Sequence, residues 1–310
     1  MAKDGLAMDE FESFLVENGN KKIYVISPGG NCGDTLIHMG LVKKLKGVNA
    51  DYIYMNLEEV YKKRISVGVK YLLNIASFKA GLDLHFRLFR IPREVELILF
   101  EGGGYMNDLY YGLVLLKEIL EDSKKTSVAV APNSFWFRKT DFKALLASER
   151  PVTLFCREKY SYALLSEIPL PENVEVHLSK DTSLYLTRED LDGLILSKAR
   201  KNNLVCFRSD RESMIPKKAK QQIIKKVKEN SSNLLVADIS KWGSLKAYVS
   251  AVANSSKIYT DRLHVAIVAH ILRKEFTLFD NCYHKNRGVY EYSLKADPKA
   301  RFEDLCFLRN

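Results

Sequence analysis

The chain has 310 residues, 46% hydrophobic and 28% charged, an ordinary globular composition that excludes collagen-like, low-complexity and disulfide-scaffold classes. That length predicts one large domain or, more in keeping with usual domain sizes, two. Lys and Arg (48) exceed Asp and Glu (38) for a net charge of +10, which favours anionic partners: nucleic acid, a membrane surface or phosphorylated small molecules.

The opening stretch from Met1 to Glu10 is too acidic and too short of apolar length for a signal peptide, and no run of 18 or more apolar residues follows that would span a bilayer. Ile23–Ile26 reads as the first strand and Asp34–Lys46 as the first helix. Tyr52–Met55, Val95–Phe100, Ser127–Ala131, Val152–Phe155 and Val174–His177 continue as strands, with helices near 108–121, 140–149 and 157–166. Near-continuous apolar strands alternating with helices predict a parallel sheet covered on both faces. From Leu186 to Asn203 a charged stretch reads as a linker. A second series follows, with strands at Leu204–Phe207, Leu234–Ala237, Lys257–Thr260 and Phe276–Phe279 and helices near 215–229, 244–254 and 262–272. The expected fold class is α/β: two doubly wound domains, residues 1–190 and 200–310, facing a cleft, with ligands at the carboxyl ends of the strands.

The five cysteines, Cys32, Cys156, Cys206, Cys282 and Cys306, are odd in number, scattered and never in Cys-x-x-Cys spacing, so a reducing cytoplasm is expected and a structural zinc site is not. His38, His85, His177, His264, His270 and His284 show no metal-ligand spacing, and neither His-Glu-x-x-His nor Gly-x-Ser-x-Gly occurs. No metal and no resident cofactor are expected.

Three strand ends carry candidate binding loops. Ser27-Pro-Gly-Gly-Asn31-Cys-Gly33-Asp34 precedes a helix whose free amides suit an anion or a polar sugar, although a tight turn capped by Asp34 accounts for the same composition. Glu101-Gly102-Gly103-Gly104 is a second glycine-rich end, followed by Asn107 and Asp108 as capping residues for the next helix. Asn133 and Ser134 close a third with side chains suited to sugar hydroxyls. In the second half, Thr260-Asp-Arg262-Leu263-His264 lies where a strand stops and an apolar helix starts. The plainer reading makes Asp261 an N-cap, Arg262 its ion-pair partner and His264 a half-buried core residue. Against it, Arg208 ends the domain's first strand, so two guanidinium forks can converge on one anion, beside which a histidine serves as proton donor. Lys285 adds a cation after the last strand, where a solvated helix start is an equal reading.

Together, Gly30-Asn31-x-Gly33-Asp34, Glu101-Gly-Gly-Gly104, Ser179-Lys-Asp181-Thr182, Arg208-x-Asp210-x-Glu212 and Thr260-Asp-Arg-Leu-His264 resemble the polysaccharide pyruvyltransferase family in order and approximate spacing, from about residue 22 to about residue 295. The resemblance implies two Rossmann-like domains of the glycosyltransferase-B kind, acting in exopolysaccharide or cell-wall biosynthesis. It implies phosphoenolpyruvate as donor and a sugar or lipid-linked glycan as acceptor. Carried onto this chain, Arg208 and Arg262 hold the donor's carboxylate and phosphate, with Leu263 packing on it; Lys285 joins the donor-binding candidates on its position after the last strand, outside the resemblance. His264 is the general acid. Asn31, Gly33, Asp34, Gly102, Gly103, Gly104, Asn107, Asn133 and Ser134 face the acceptor.

The nearest rival is a nucleotide-sugar glycosyltransferase of the same shape. A non-catalytic module working through two basic stretches is the other: residues 61–93 carry eight Lys/Arg against Asp83, and residues 198–228 eleven against Asp210 and Glu212. Nucleic acid is disfavoured because no recognition motif accompanies the charge. If the acceptor is carried on a membrane lipid, as the resemblance allows, the 61–93 stretch, rich in residues such as Leu72, Leu73, Leu82, Leu84 and Phe86, is expected to bring a cytoplasmic protein to an anionic membrane face. The plainer reading is a helix pair whose apolar face is core.

Overall fold

Six of the apolar runs become one parallel sheet. The computed structural model describes residues 8–82, 84–110, 112–122, 126–147, 149–196, 202–231 and 233–304. Cys306, Asp83 and the cations Lys198, Arg200 and Lys201 lie outside them. Strands β1 (Lys22–Ser27), β2 (Asp51–Asn56), β3 (Leu97–Phe100), β4 (Ser127–Asn133), β5 (Val152–Cys156) and β6 (Val174–Leu178) run in the order β2-β1-β3-β4-β5-β6, every neighbouring pair parallel. Helices Cys32–Gly47, Gly112–Asp122 and Lys159–Glu167 alternate with them. The second sheet contains β7 (Asn202–Cys206), β8 (Leu234–Val236), β9 (Ser255–Thr260), β10 (Glu275–Phe279) and β11 (Ala300–Glu303) in the parallel order β11-β10-β9-β7-β8. The fold class is therefore α/β with two parallel sheets. Strand β11, with its alternating exposure, carries no apolar run and was not foreseen.

Strand order decides where loops gather. In each sheet the direction of winding reverses beside the strand that begins it, so the loops after β1 and β3 border one switch point and those after β7 and β9 border the other. These are the segments carrying the glycine-rich ends and the two arginines.

The chain divides into two compact units, Met1–Gly29 with Leu41–Asp181 and Gly30–Gly40 with Thr182–Asn310. The first turns of helix Cys32–Gly47 thus belong with the second unit, and Cys32 and Leu36 pack into its core. Two local expectations change. The stretch expected as linker contains a short helix, Arg188–Asp192, capped by Thr187 and Asp190, and buries Leu191 completely in the second core. Its centre, residues 197–201, lies outside the described residues. Asp108 caps no helix: helix Gly112–Asp122 starts later, and the carboxylate instead accepts from the Arg138 and Lys139 amides at 2.6 and 2.9 Å and from Thr140 Oγ1 at 2.5 Å.

Glu118 on that helix anchors the chain that runs past it. Only 1% exposed, it accepts the Leu88 and Phe89 amides at 2.7 and 3.2 Å and lies 3.8 Å from His85 Nε2. Burial pushes its carboxyl up to about 7, against the pull of those amides. A value raised in the folded state stabilises fully below the unfolded value of about 4.3 and is lost as pH rises through about 7. Wild-type stability relative to Glu118→Gln is thus expected to fall by up to about 3 kcal/mol between about pH 5 and about pH 8, measured by urea unfolding. Parallel pH profiles of the two proteins would assign the dependence to another group.

Candidate functional site

The carboxyl edge of the second sheet carries a buried web of charge. Arg208 follows β7 and is 4% exposed, while Arg262 follows β9 and is 8% exposed. Burying guanidinium groups is costly unless carboxylates receive them, and here they do. Arg208 donates from Nε to Asp210 Oδ1 at 2.7 Å and from Nη1 to Glu212. Arg262 grips Asp238 side-on, Nε to Oδ1 at 3.0 Å and Nη2 to Oδ2 at 2.6 Å, and reaches Asp210 Oδ2 with Nη1 at 2.8 Å. Asp210 is therefore one carboxylate shared by both arginines. Burial raises its pKa, but the two arginines outweigh that and hold it below the usual carboxylate range.

Glu212 is the second junction. It is 2% exposed and accepts from Arg208, from Lys285 Nζ and from Asn281 Nδ2 at 2.8 Å. Lys285 thus joins the web, in place of the solvated helix start that was the other reading. Asn286 ties two strand ends together, donating to the carbonyls of Asp261 and Phe279 at 2.9 Å each.

The plainer reading of Asp261 and Arg262 does not hold. Asp261 Oδ1 accepts the Arg208 amide at 2.7 Å, and Arg262 itself is the residue preceding helix Leu263–Ile271, its amide bonded to Thr260 Oγ1 at 2.9 Å. Arg262 pairs with Asp238 and Asp210. Burial pushes the Asp261 carboxyl up to about 6, and its Oδ2 is buried with no hydrogen-bond partner. Leu263 is 4% exposed within the second core. His264 is half-buried and lies against the first turn of helix Cys32–Gly47. A Cβ on Gly33 would stand 2.6 Å from His264 Nδ1, so the bare backbone of Gly33 makes room for the imidazole.

That first turn is held by its own side chains. Asn31 Oδ1 accepts the Gly33 amide at 2.8 Å and Asp34 Oδ2 accepts the Asn31 amide at 2.7 Å. Gly30 adopts φ +146°, where a Cβ would meet the Asp34 carboxylate at 2.0 Å. Asn31, Gly33 and Asp34 are thus brought together with His264 in the second unit. The other acceptor candidates belong to the first. The Gly103 amide and carbonyl bond to Pro132 and Ser134 at 3.1 and 3.0 Å, and the loop Gly102–Gly104 is thereby fixed to the end of β4. Asn107 is fully buried, bonding the Gly104 carbonyl at 2.8 Å and receiving the Leu109 and Tyr110 amides. Asn133 and Ser134 are also fully buried. Asn133 Nδ2 donates to the Glu101 and Ala131 carbonyls, and Ser134 Oγ accepts Arg157 Nε at 2.9 Å, the same arginine that pairs with buried Asp181 at 2.7 Å. These three side chains clasp the loops internally.

Sequence reasoning missed Asp238, Asn281 and Asn286. The one available signal was an acid two residues past the end of β8, at the sheet's carboxyl edge. A cavity of about 1040 Å³ opens elsewhere in the second unit, between helix Lys217–Glu229 and side chains including Tyr259, Thr277 and Arg301. Arg208, Arg262 and His264 do not line it.

A family model described as Polysaccharide pyruvyl transferase matches residues 31–283. Pyruvyl transferase 1 of Schizosaccharomyces pombe is 26% identical over 175 residues, 54% of this chain and 39% of that protein, so the chain spans well under half that relative's length. EpsO of Bacillus subtilis, provisionally named a pyruvyl transferase, is 23% identical over 288 residues, covering 83% of this chain and 85% of that protein. The crystal structure of an uncharacterized protein from Klebsiella pneumoniae shares the fold, with a TM-score of 0.65, 23% identity, and coverage of 98% of this chain and 99% of that one.

Proposed function

The chain belongs to the polysaccharide pyruvyl transferase family, and from that premise we propose that it transfers the enolpyruvyl group of phosphoenolpyruvate to a sugar of a cell-surface polysaccharide or its lipid-linked precursor, closing a pyruvate ketal. The observation that best supports this is the pair of buried arginines sharing the carboxylate of Asp210. Two forks that converge on one carboxylate suit a donor carrying both a carboxylate and a phosphate. Arg262 donates two of its five N–H groups to Asp238 and sets Nη1 2.8 Å from Asp210, and the remaining donor capacity of the fork is assigned to the donor.

His264 gives a proton to the donor's methylene carbon, and positive charge develops at C2. One sugar hydroxyl bonds to C2 and releases its proton. A second hydroxyl then attacks C2 and gives up its proton as the C2–O bond to phosphate breaks, so the products are the cyclic ketal and inorganic phosphate; one of the two hydroxyl protons restores His264 and the other leaves with phosphate or water. Asn31, Gly33 and Asp34, in the turn against His264, are the residues assigned to orient the acceptor. Holding both reactants in place removes much of the entropic barrier, and general acid catalysis contributes about 10²–10⁴-fold.

Thermal unfolding with phosphoenolpyruvate and with nucleotide-sugars tests the donor. A ligand at 100 times its dissociation constant adds about 2.7 kcal/mol, so phosphoenolpyruvate is expected to raise the midpoint while nucleotide-sugars leave it unchanged. The reverse outcome would favour a glycosyltransferase. Arg208→Lys and Arg262→Lys are each expected to weaken phosphoenolpyruvate binding by about tenfold or more in calorimetric titration, because an ammonium cannot reproduce the fork. Unchanged affinity in both would move the donor site elsewhere.

A further inference from the structure

Helix Ile65–Ala80 in the first unit turns the wrong face outward. A surface helix ordinarily hides its apolar stripe and shows its charges. Here Val67, Asn74, Ile75 and Ser77 are buried, while Ile65, Val69, Leu72 and Leu73 are 82%, 51%, 66% and 45% exposed. Their spacing, i, i+4, i+7 and i+8, is one continuous helical face, and Ala76 and Ala80 extend it without introducing a charge.

The chain after the helix widens the same surface. Leu82, Leu84 and Phe86 are fastened to the helix by its two buried polar side chains. Ser77 Oγ bonds the Leu82 carbonyl at 3.0 Å and the Leu84 amide at 3.1 Å, and Asn74 bonds the carbonyl and amide of Phe86 at 2.8 and 2.7 Å. Leu82, Leu84 and Phe86, at alternate positions, are 55%, 62% and 40% exposed. This apolar surface is a held platform, since four half-buried hydrogen bonds fix the backbone of Leu82, Leu84 and Phe86.

Its border is cationic. Lys62, Lys63 and Arg64 precede the helix, Lys70 and Lys79 flank the stripe, and Arg87, Arg90 and Arg93 follow; all are exposed. Lys62, Lys63 and Arg87 pair with Glu58, Glu59 and Asp122, yet cations outnumber acids along this border. An apolar strip of this kind marks an interaction surface, and the cationic surplus of its rim names the partner's charge. We propose that this face docks on an anionic lipid bilayer, the leucines, isoleucine and phenylalanine entering the headgroup boundary while the lysines and arginines meet lipid phosphates. The contact is peripheral: no helix among the described residues is long and apolar enough to cross a membrane. It does not rest on the transferase reading, because it uses none of the site residues.

Vesicle sedimentation of the full chain tests it, with phosphatidylcholine vesicles against the same vesicles containing phosphatidylglycerol, at low and high salt. The protein is expected to sediment with anionic vesicles at low salt, at least about tenfold less with neutral ones, and progressively less as salt rises. Leu72→Gln with Leu84→Gln, at sites already in water, is expected to lower partitioning about tenfold or more with no change in thermal unfolding. Arg90→Gln with Arg93→Gln is expected to weaken binding and flatten its salt dependence. No sedimentation with anionic vesicles at low salt would overturn the proposal, as would binding indifferent to the leucine substitutions. Self-association abolished by those same substitutions, without vesicle binding, would give the face to a second copy of the chain instead.

Discussion

His264→Ala is expected to lower turnover by about 10²–10⁴-fold while the dissociation constant of phosphoenolpyruvate changes less than about threefold. In the proposed mechanism the proton donor acts in the transition state, whereas ground-state affinity is assigned to the arginines, which Asp210 and Asp238 hold in place. Gly33→Ala supplies an independent check. Its new methyl would sit 2.6 Å from Nδ1 and 2.9 Å from Cγ of His264, so the ring must move, though its chemistry is untouched. Turnover should therefore fall in this variant too, by less than in His264→Ala, with donor affinity again preserved. Single-turnover rates and calorimetric titration separate the two quantities. Near wild-type turnover in His264→Ala would remove the general-acid assignment; loss of donor binding in either variant would make the histidine part of the anion site.

The strand ends were legible because apolar runs stopping at glycine, asparagine or arginine are unambiguous in a parallel sheet, and the switch points then put Arg208 beside Arg262. What surrounds those arginines was not. Asp238 is a lone acid after a three-residue strand, and only the pairing of β7 with both β8 and β9 brings it to Arg262. The orientation of helix Ile65–Ala80 was hidden for a different reason. Apolar residues occupy both its inward and outward arcs, so the periodicity that normally identifies a core face cancels. Helix Cys32–Gly47 was placed correctly as a helix, yet which unit its first turns join depends on contacts with residues about 145 positions away, among them the Thr182 hydroxyl on the Ile37 carbonyl at 3.0 Å. Local pattern carries no trace of such a contact.

The second unit's hold on that helix makes Gly40→Ala the substitution with the largest expected effect on stability. A Cβ at Gly40 would lie 1.9 Å from the Thr182 carbonyl oxygen and 2.6 Å from its carbon. Both are backbone atoms, so no rotamer relieves the overlap, and helix and segment must separate. The expected loss is about 3 kcal/mol or more, at the upper end for overpacking. Gly47 closes the same helix with nothing within 4 Å of its Cβ position, so Gly47→Ala should gain up to about 1 kcal/mol from helix propensity alone. One residue exchange on one helix is thus expected to act in opposite directions, and urea unfolding of both variants reads the difference. The displacement also travels toward the site. Gly33 lies two turns before Gly40 on the same helix, so pushing Gly40 off Thr182 should loosen the packing of Gly33 against His264. At temperatures where Gly40→Ala remains folded, its turnover should fall while Gly47→Ala keeps wild-type rates. Equal stability of Gly40→Ala and the wild type would mean that the helix does not approach Thr182 this closely, and the placement of Gly33 beside His264 would lose its support.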